Sequence, residues 1–353
     1  MTGTVLVGED RVLGNVLNSI ASELSQRGYS VRRMPAGRER NSAVVTARQW
    51  QTDYGDVDVA VISSRTVLSA EVLSSAKRLR GIVFGSIGTN GCDLEAATAH
   101  DIAVANGATA ENVESIAEAN VMLMVALLGR LPVKLREFDS RPAASAVVSR
   151  SRMLRGRTIG FVGYGRIARA TQRRLAGWDI GEVLVYTRTP NSRRYPDVRF
   201  VDLPSLLAAA DVVVVQAPLN AGTANLLDRE MLQRMKSDAV LVNTARGGIL
   251  DEYALAELLS LGHLGGAALD TFSAEPPPAD HPLTRCANAI VTNHNVGHTR
   301  ELFDSLVPTA VDSVMDLLAG RPPVHLANPA VSASWRRRWA QPTPVNSHIR
   351  TVF

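Results

Sequence analysis

Short apolar runs alternate with helix-spaced segments along most of the chain. Thr4-Val5-Leu6-Val7 reads as a strand, and over residues 12–28 the apolar positions recur at helical spacing. Val57-Asp58-Val59-Ala60-Val61-Ile62 alternates and then runs apolar, as a strand entering a buried sheet does, and residues 70–79 read as the helix behind it. Gly81-Ile82-Val83-Phe84 and Ile102-Ala103-Val104-Ala105 repeat the scheme, which is the rhythm of a parallel sheet. Helical spacing then runs from 111 to about 138, bent or broken at Pro132 because proline lacks a backbone donor. Beyond the Arg- and Ser-rich stretch 150–157, strand patterns recur at 158–162, 183–186, 212–215, 239–243, 267–269 and 289–292, most of them separated by helical segments. A helix over 301–318 stops at Gly320 and Pro322 and is expected to pack back on the first series.

At 353 residues the chain exceeds what one core supports, so two domains are expected. The pattern predicts an α/β fold of two Rossmann-like doubly wound parallel-sheet domains with a cleft between them. The first comprises 1–110 plus 299–330, the second 111–298, and 331–353 forms a basic, proline-bearing tail that is disordered or draped over a neighbouring surface. Hydrophobic residues at 46% and charged residues at 20% exclude a disordered or fibrous chain. A net charge of +4 gives no case for nucleic acid, and no such partner is expected. Cys92 and Cys286 make neither a disulfide framework nor a metal cluster, so no metal and a reducing cytoplasm are expected. The longest apolar run, 121–128, is far short of the roughly 20 residues that span a bilayer, and the N-terminus carries no secretion pattern, so no membrane partner is expected.

Gly163-Tyr164-Gly165-Arg166-Ile167-Ala168 follows a predicted strand and opens a predicted helix, the context that gives a G-x-G-x-x-G/A match its meaning. Gly163 permits the tight turn, Gly165 lets a pyrophosphate approach the backbone, and the small Ala168 lets helix and strand pack closely; Arg166 and Ile167 supply the first amides of the helix. Segment 111–298 is therefore the dinucleotide-binding domain and 1–110 plus 299–330 the substrate domain. About 20 residues on, where NAD sites place Asp or Glu, the chain has Thr187 and Arg188, with Arg193 and Arg194 nearby. A guanidinium can fork onto a 2′-phosphate that a carboxylate would repel, so NADP(H) is preferred, with NAD(H) second. The same arginines also fit a solvated loop.

Three further segments close predicted strands: Asn243-Thr244-Ala245-Arg246-Gly247, Asp270-Thr271-Phe272-Ser273-Ala274-Glu275-Pro276 and Asn293-His294-Asn295-Val296-Gly297. Adding hydride to a carbonyl calls for an acid titrating near neutrality, which histidine supplies, a carboxylate that favours its imidazolium, and, for an anionic substrate, a planar cation. Taken singly, Arg246 also fits a helix cap or an Asp251 partner, Glu275 a solvated loop charge and His294 a core histidine. His298 competes for the histidine role, while His263 and His281 read as loop residues.

With the glycine turn, these segments resemble the D-isomer-specific 2-hydroxyacid dehydrogenase family from about Gly81 to Gly320. The resemblance implies a D-stereospecific NAD(P)-dependent enzyme, acting as a reductase of glyoxylate- or hydroxypyruvate-like or larger 2-oxo acids. It implies that Arg246 holds the substrate, His294 donates the proton and Glu275 hydrogen-bonds the imidazole. Asp270 would meet the nicotinamide carboxamide, Ala217 and Pro218 the nicotinamide ribose, and Thr244 and Ala245 the ring, with Thr223 and Gly297 completing the cofactor set. Ser86-Ile87-Gly88-Thr89 resembles the loop that binds the substrate carboxylate, with Ile87 and Gly88 as contacts, and Asn112 with Glu118 the helix start facing it. A homodimer paired through the second domain and its long helix is also implied. Asn293 replaces the family's usual proline, and Glu275 in place of glutamine argues against a formate dehydrogenase. Ser63 and Phe84 stand where phosphoglycerate dehydrogenases carry arginines, with Arg65 displaced, which argues against a phosphorylated substrate. The alternatives are a non-catalytic dinucleotide sensor of corepressor type and a dehydrogenase of another small acid such as phosphite on the same fold.

Overall fold

Strands that are apolar on both faces are stable only inside a sheet covered on both sides, and the interior strands of the two large sheets of this protein are of that kind. The structure is a computed structural model that describes residues 3–10, 13–36, 43–86, 88–140 and 150–339. The chain divides into two units, Met1–Asn112 with Thr299–Phe353, and Val113–His298.

The first unit runs β1 (Thr4–Gly8), α1 (Gly14–Gln26), β2 (Ser30–Met34), β3 (Ala43–Val44), α2 (Ala47–Asp53), β4 (Val59–Ile62), β5 (Thr66–Val67), α3 (Ala70–Ser75), β6 (Gly81–Phe84), α4 (Leu94–Ala99) and β7 (Ala103–Ala105). Five strands form a parallel sheet in the order β2-β1-β4-β6-β7, and β3 pairs with β5. Strand periodicity sends alternate residues to opposite faces. Val5, Val7, Val59, Val61 and Val83 meet α1 and the C-terminal helix α11 (Arg300–Leu318), whereas Leu6, Ala60, Ile62, Ile82 and Phe84 meet Trp50, Leu73 and Ala97 from the helices opposite.

The second unit begins within α5 (Ala110–Leu128) and continues through α6 (Leu131–Ser140), β8 (Ile159–Val162), α7 (Arg166–Arg174), β9 (Val183–Tyr186), β10 (Arg199–Phe200), α8 (Leu203–Ala209), β11 (Val212–Val215), α9 (Arg229–Gln233), β12 (Val240–Asn243), α10 (Glu252–Ser260), β13 (Gly266–Leu269) and β14 (Ala289–Val291). Its seven strands are parallel, ordered β10-β9-β8-β11-β12-β13-β14. Val213, Val215 and Leu241 face Leu206, Leu255 and Leu258, while Phe161, Val214 and Val242 face Leu123, Met124 and Leu127 of α5. The α/β parallel-sheet expectation is met in both units.

Several local expectations are corrected. The single helix over 111–138 is two helices at 56° to each other, and the break falls at Gly129 and Arg130, the latter at φ +52°, with Pro132 accommodated in the first turn of α6. No single helix among the described residues is long and apolar enough to cross a membrane. Of the two readings of the tail from 331, the described part follows the draped one, and it is helical over α12 (Ser332–Trp339): Trp335 is fully buried and donates from Nε1 to the Arg80 carbonyl at 2.6 Å, and Trp339 donates to the Asp101 carbonyl at 3.1 Å. The apolar payload of the two indoles outweighs the intervening arginines, whose charged heads reach the surface. Residues 340–353 lie outside the described residues. His281 lies in a loop, as expected, and is buried there.

The loops after β1 and β4 are joined by an ion pair. Asp10, on a side chain 1% exposed, accepts from Arg65 Nε and Nη2 at 2.7 Å each, from the Leu13 amide at 2.7 Å and from the Ser63 hydroxyl at 2.7 Å. Burial acts to raise its pKa, but the Arg65, Leu13 and Ser63 hydrogen bonds and the Arg65 charge prevail and bring it to about 2. A carboxyl depressed in the folded state adds stability above its unfolded pKa and loses it as pH falls through the folded value. Asp10→Asn is expected to cost about 2 kcal/mol at pH 7, read by urea unfolding, with the difference from the parent vanishing between pH 4 and pH 2.

Candidate active site

β8 is buried along its whole length and ends at Gly163, which adopts φ +93°. A Cβ there would lie 2.7 Å from the Ala217 nitrogen and 2.8 Å from the Gln216 carbonyl, so only glycine fits between β8 and the end of β11. Gly165 caps α7 without a side-chain hydrogen bond, and a Cβ at Gly165 would meet nothing within 4 Å. Open space in front of a helix N-terminus suits a pyrophosphate. Arg166 is exposed, Ile167 is half-buried, and Ala168 is fully buried against the sheet.

β9 ends at Tyr186, followed by half-buried Thr187 and exposed Arg188. No acidic residue occurs between Thr187 and Pro196. Arg188 has no side-chain partner among the described residues, whereas the Arg194 guanidinium lies over the Tyr195 ring at 5.5 Å. Beyond β11, Ala217 is buried, and the Thr223 hydroxyl donates to the Pro218 carbonyl at 2.6 Å and closes the turn.

Thr244 is committed internally. Its hydroxyl donates to Asn120 Oδ1 at 2.8 Å and accepts from Gln216 Nε2 at 2.6 Å, and Asn120 Nδ2 donates to the Thr171 hydroxyl at 3.1 Å. This buried network ties α5, α7, β11 and β12 together. The Ala245 amide likewise donates to Asn243 Oδ1 at 3.0 Å, and Asn243 Nδ2 donates to the Arg246 carbonyl at 2.9 Å. Asn120 and Asn243, both fully buried, were not singled out from the sequence; the available signal was a lone amide within an apolar run.

Arg246 follows as extended backbone and leads into a 3₁₀ turn, Gly247–Ile249. Nη1 donates to the Ala245 carbonyl at 2.6 Å, and no carboxylate forms an ion pair with it among the described residues. Burial draws the guanidinium pKa below its ordinary value, with the Glu275 charge opposing. A desolvated, unpaired cation is an anion-binding group. Asp251 caps α10 through the Tyr253 and Ala254 amides rather than pairing with Arg246.

His294 Nδ1 lies 2.9 Å from Glu275 Oε2 and 3.1 Å from Oε1, and Glu275 Oε1 also accepts from the Phe272 amide at 3.1 Å. Burial of Glu275 acts to raise its pKa, but the His294 hydrogen bond and charge, the Phe272 amide and the Arg246 charge hold the carboxyl below the ordinary range. The acceptor is thus an anion at neutral pH. With Nδ1 engaged, Nε2 is the nitrogen left for a substrate.

The loop bearing His294 is shaped by Asp270. Its Oδ1 accepts from the Thr292 hydroxyl at 2.6 Å and from the Asn295 and Val296 amides at 2.9 and 3.0 Å, while its carbonyl accepts from the His294 amide at 2.7 Å. These bonds hold His294 at φ +53°, a left-handed conformation that β-branched or bulky residues rarely adopt. Gly297 has no room for a Cβ, which would lie 2.1 Å from Ile116.

In the first unit, the loop after β6 carries Gly88, whose carbonyl accepts from the Ser86 hydroxyl at 3.1 Å; Ile87 lies outside the described residues. The Asn112 amide donates to the Thr109 hydroxyl at 3.2 Å. Glu118, in the second unit, pairs with Arg174 of α7 at 3.2 Å. Among the described residues no group of three or more His, Cys, Asp or Glu side chains is arranged to hold a metal.

Residues 121–296 match the family model for the NAD binding domain of D-isomer specific 2-hydroxyacid dehydrogenases. The glyoxylate reductase of Thermofilum pendens is 33% identical over 284 residues, covering 78% of this chain and 83% of the relative. The D-3-phosphoglycerate dehydrogenase of Archaeoglobus fulgidus is 32% identical over 285 residues, covering 78% of this chain and 53% of the relative, so the chain spans about half the length of that enzyme. Among solved structures, the TT0316 protein from Thermus thermophilus superposes with a TM-score of 0.77 at 30% identity, covering 93% of this chain and 100% of the other.

Proposed function

This chain belongs to the D-isomer specific 2-hydroxyacid dehydrogenase family, and on that premise we propose that it reduces small or medium 2-oxo acids to D-2-hydroxy acids, with NADP(H) preferred to NAD(H). The observation that carries this reading is the pairing of His294 Nδ1 with the Glu275 carboxylate, in the same unit as a desolvated Arg246 without a carboxylate partner. The Gly163–Ala168 turn, with open space before α7, fits a dinucleotide. When bound, the dinucleotide supplies the hydride that adds to the keto carbon. Arg246 binds the substrate carboxylate and polarises the carbonyl. His294 gives its Nε2 proton to the carbonyl oxygen, completing the hydroxyl, while Glu275 holds the ring and favours the imidazolium before transfer. Asp270 keeps the histidine loop in shape.

Arg188 beside Thr187, with no acid in the loop, supports the NADP(H) preference. A substrate without a phosphate is supported by Ser63 and Phe84, and by Arg65 being held bidentately by Asp10. We assign the protein to the cytoplasm, in keeping with two buried free cysteines, of which Cys92 has a thiol pushed up to about 12 by burial.

We further propose a homodimer through α5 and α6. Leu131, Leu135 and Phe138 fall on one face of α6 and are 49%, 57% and 80% exposed, with Met122 and Val125 exposed on α5. Contiguous exposed apolar side chains of this kind mark an interaction surface.

Purified protein supplied with NADPH is expected to turn over at least one of glyoxylate, hydroxypyruvate and branched or aryl 2-oxo acids, and His294→Ala to lower kcat by on the order of 10²-fold or more. Absence of turnover across the panel, or an unaffected variant, would refute the assignment. Arg188→Asp is expected to weaken NADPH binding on the order of tenfold or more while NADH binding holds; equal losses remove the role given to Arg188. Light scattering should give twice the 37.9 kDa chain mass for the parent protein, and a single chain mass for Leu135→Asp with Phe138→Asp; a monomeric parent, or a double variant that remains dimeric, rejects the α6 interface.

A further inference from the structure

The second unit contains a buried acid–histidine pair that the hydride-transfer chemistry does not use. Glu252, the first residue of α10, is 5% exposed, and His281 is 3% exposed. Glu252 Oε1 accepts from the Ser273 amide at 2.6 Å and from the Ser273 hydroxyl at 2.8 Å, and Glu252 Oε2 lies 3.1 Å from His281 Nε2. The His281 ring is held between Tyr253 and Phe272, with centroid separations of 5.3 Å to each, and its Nδ1 accepts from the Leu283 amide at 3.4 Å.

One carboxylate therefore fastens both ends of the segment 273–281, and Glu275 lies within that segment. The segment is anchored on a third side by the 3₁₀ turn after Arg246, where a Cβ on Gly247 would fall 2.0 Å from the Phe272 carbonyl carbon and 2.3 Å from the Ser273 nitrogen. Ser273 is bonded directly to Phe272, whose amide also holds Glu275. Glu252 sits in the first turn of α10, and its two oxygens meet three polar groups, the Ser273 amide and hydroxyl and His281 Nε2.

We propose that Glu252 is a positioning residue, clamping the 273–281 loop through Ser273 and His281 so that the Glu275 carboxylate meets His294 Nδ1. The proposal rests on reading Glu275 and His294 as the proton-transfer pair. Losing Glu252 strands the Ser273 amide and the His281 ring without their acceptor and releases the loop at both ends, while the Gly163–Ala168 turn, built on other strands, is untouched.

The test uses the full chain with Glu252→Ala and Glu252→Gln, beside Glu275→Gln and the double variant Glu252→Ala with Glu275→Gln. Glu252→Ala is expected to lower kcat on glyoxylate, or on the best 2-oxo acid found, by about 10- to 100-fold with NADPH Kd within about twofold. The double variant should be no slower than Glu275→Gln alone, because both changes remove the same contact. A readout independent of turnover is the imidazole nitrogen resonances of His294 at one fixed pH in histidine-labelled protein. Glu252→Ala should move them in the direction that Glu275→Gln moves them. If Glu275→Gln moves these resonances and Glu252→Ala leaves them at the parent values, or if losses in kcat multiply in the double variant, the positioning role is overturned. Matching resonance shifts without turnover on any 2-oxo acid would count against the proposed activity while upholding the role of Glu252. Should Glu252→Ala fail to fold, Glu252→Gln, which keeps the volume, carries the same comparisons.

Discussion

Burial of a parallel sheet on both faces forbids polar groups along its strands, and this constraint determines where chemistry can occur in the second unit. β8, β11, β12 and β13 are buried at every residue, so polar side chains appear only as each strand ends. Gly163, Gln216, Asn243 and Asp270 are the residues at those ends or one position beyond. Gly163 makes room for a close backbone approach, and the other three are hydrogen-bonded to the segments around them. Arg246 and His294 follow Asn243 and β14 within three residues, on backbone that Asn243 and Asp270 constrain. The geometry of the candidate site is thus set by buried polar groups one step behind the reactive ones.

The interior strands were legible because double-sided burial demands unbroken apolar runs. β2 and β10 were not: Ser30–Met34 carries adjacent arginines at 32 and 33 and buries only Met34 fully, and Arg199–Phe200 is two residues long, as edge strands at which a sheet terminates can be. α12 was misread through composition. Its arginines dominate the segment, yet Trp335 and Trp339 stand four residues apart and so share a helix face, a spacing that carries more information than the charge.

The site was legible to a different depth. Arg246, Glu275 and His294 could be named because their residue types and order match the chemistry of reducing a carbonyl beside a carboxylate. The contacts that hold them could not, since the partners are distant in sequence: Asp270, named only as a cofactor contact, with the amides of Asn295 and Val296, Asn120 with Thr244, Glu252 with His281. An Asp before a loop or a Glu opening a helix has a local explanation in capping, and only the fold shows that these carboxylates are spent on remote donors.

Arg65 and Arg246, each within its own unit, are treated in opposite ways. Arg65 is neutralised by Asp10, whose carboxyl is held near a pKa of about 2 and so remains an anion at any physiological pH. Arg246 is half-buried and partly desolvated, with the Glu275 charge opposing but no carboxylate in ion-pair contact among the described residues, and a partly desolvated charge of this kind is costly. A chain that spends an aspartate on one guanidinium and withholds one from the other keeps only the second of the two for a ligand. Binding an anion at Arg246 relieves that cost, whereas an anion at Arg65 would have to displace Asp10 from two hydrogen bonds at 2.7 Å.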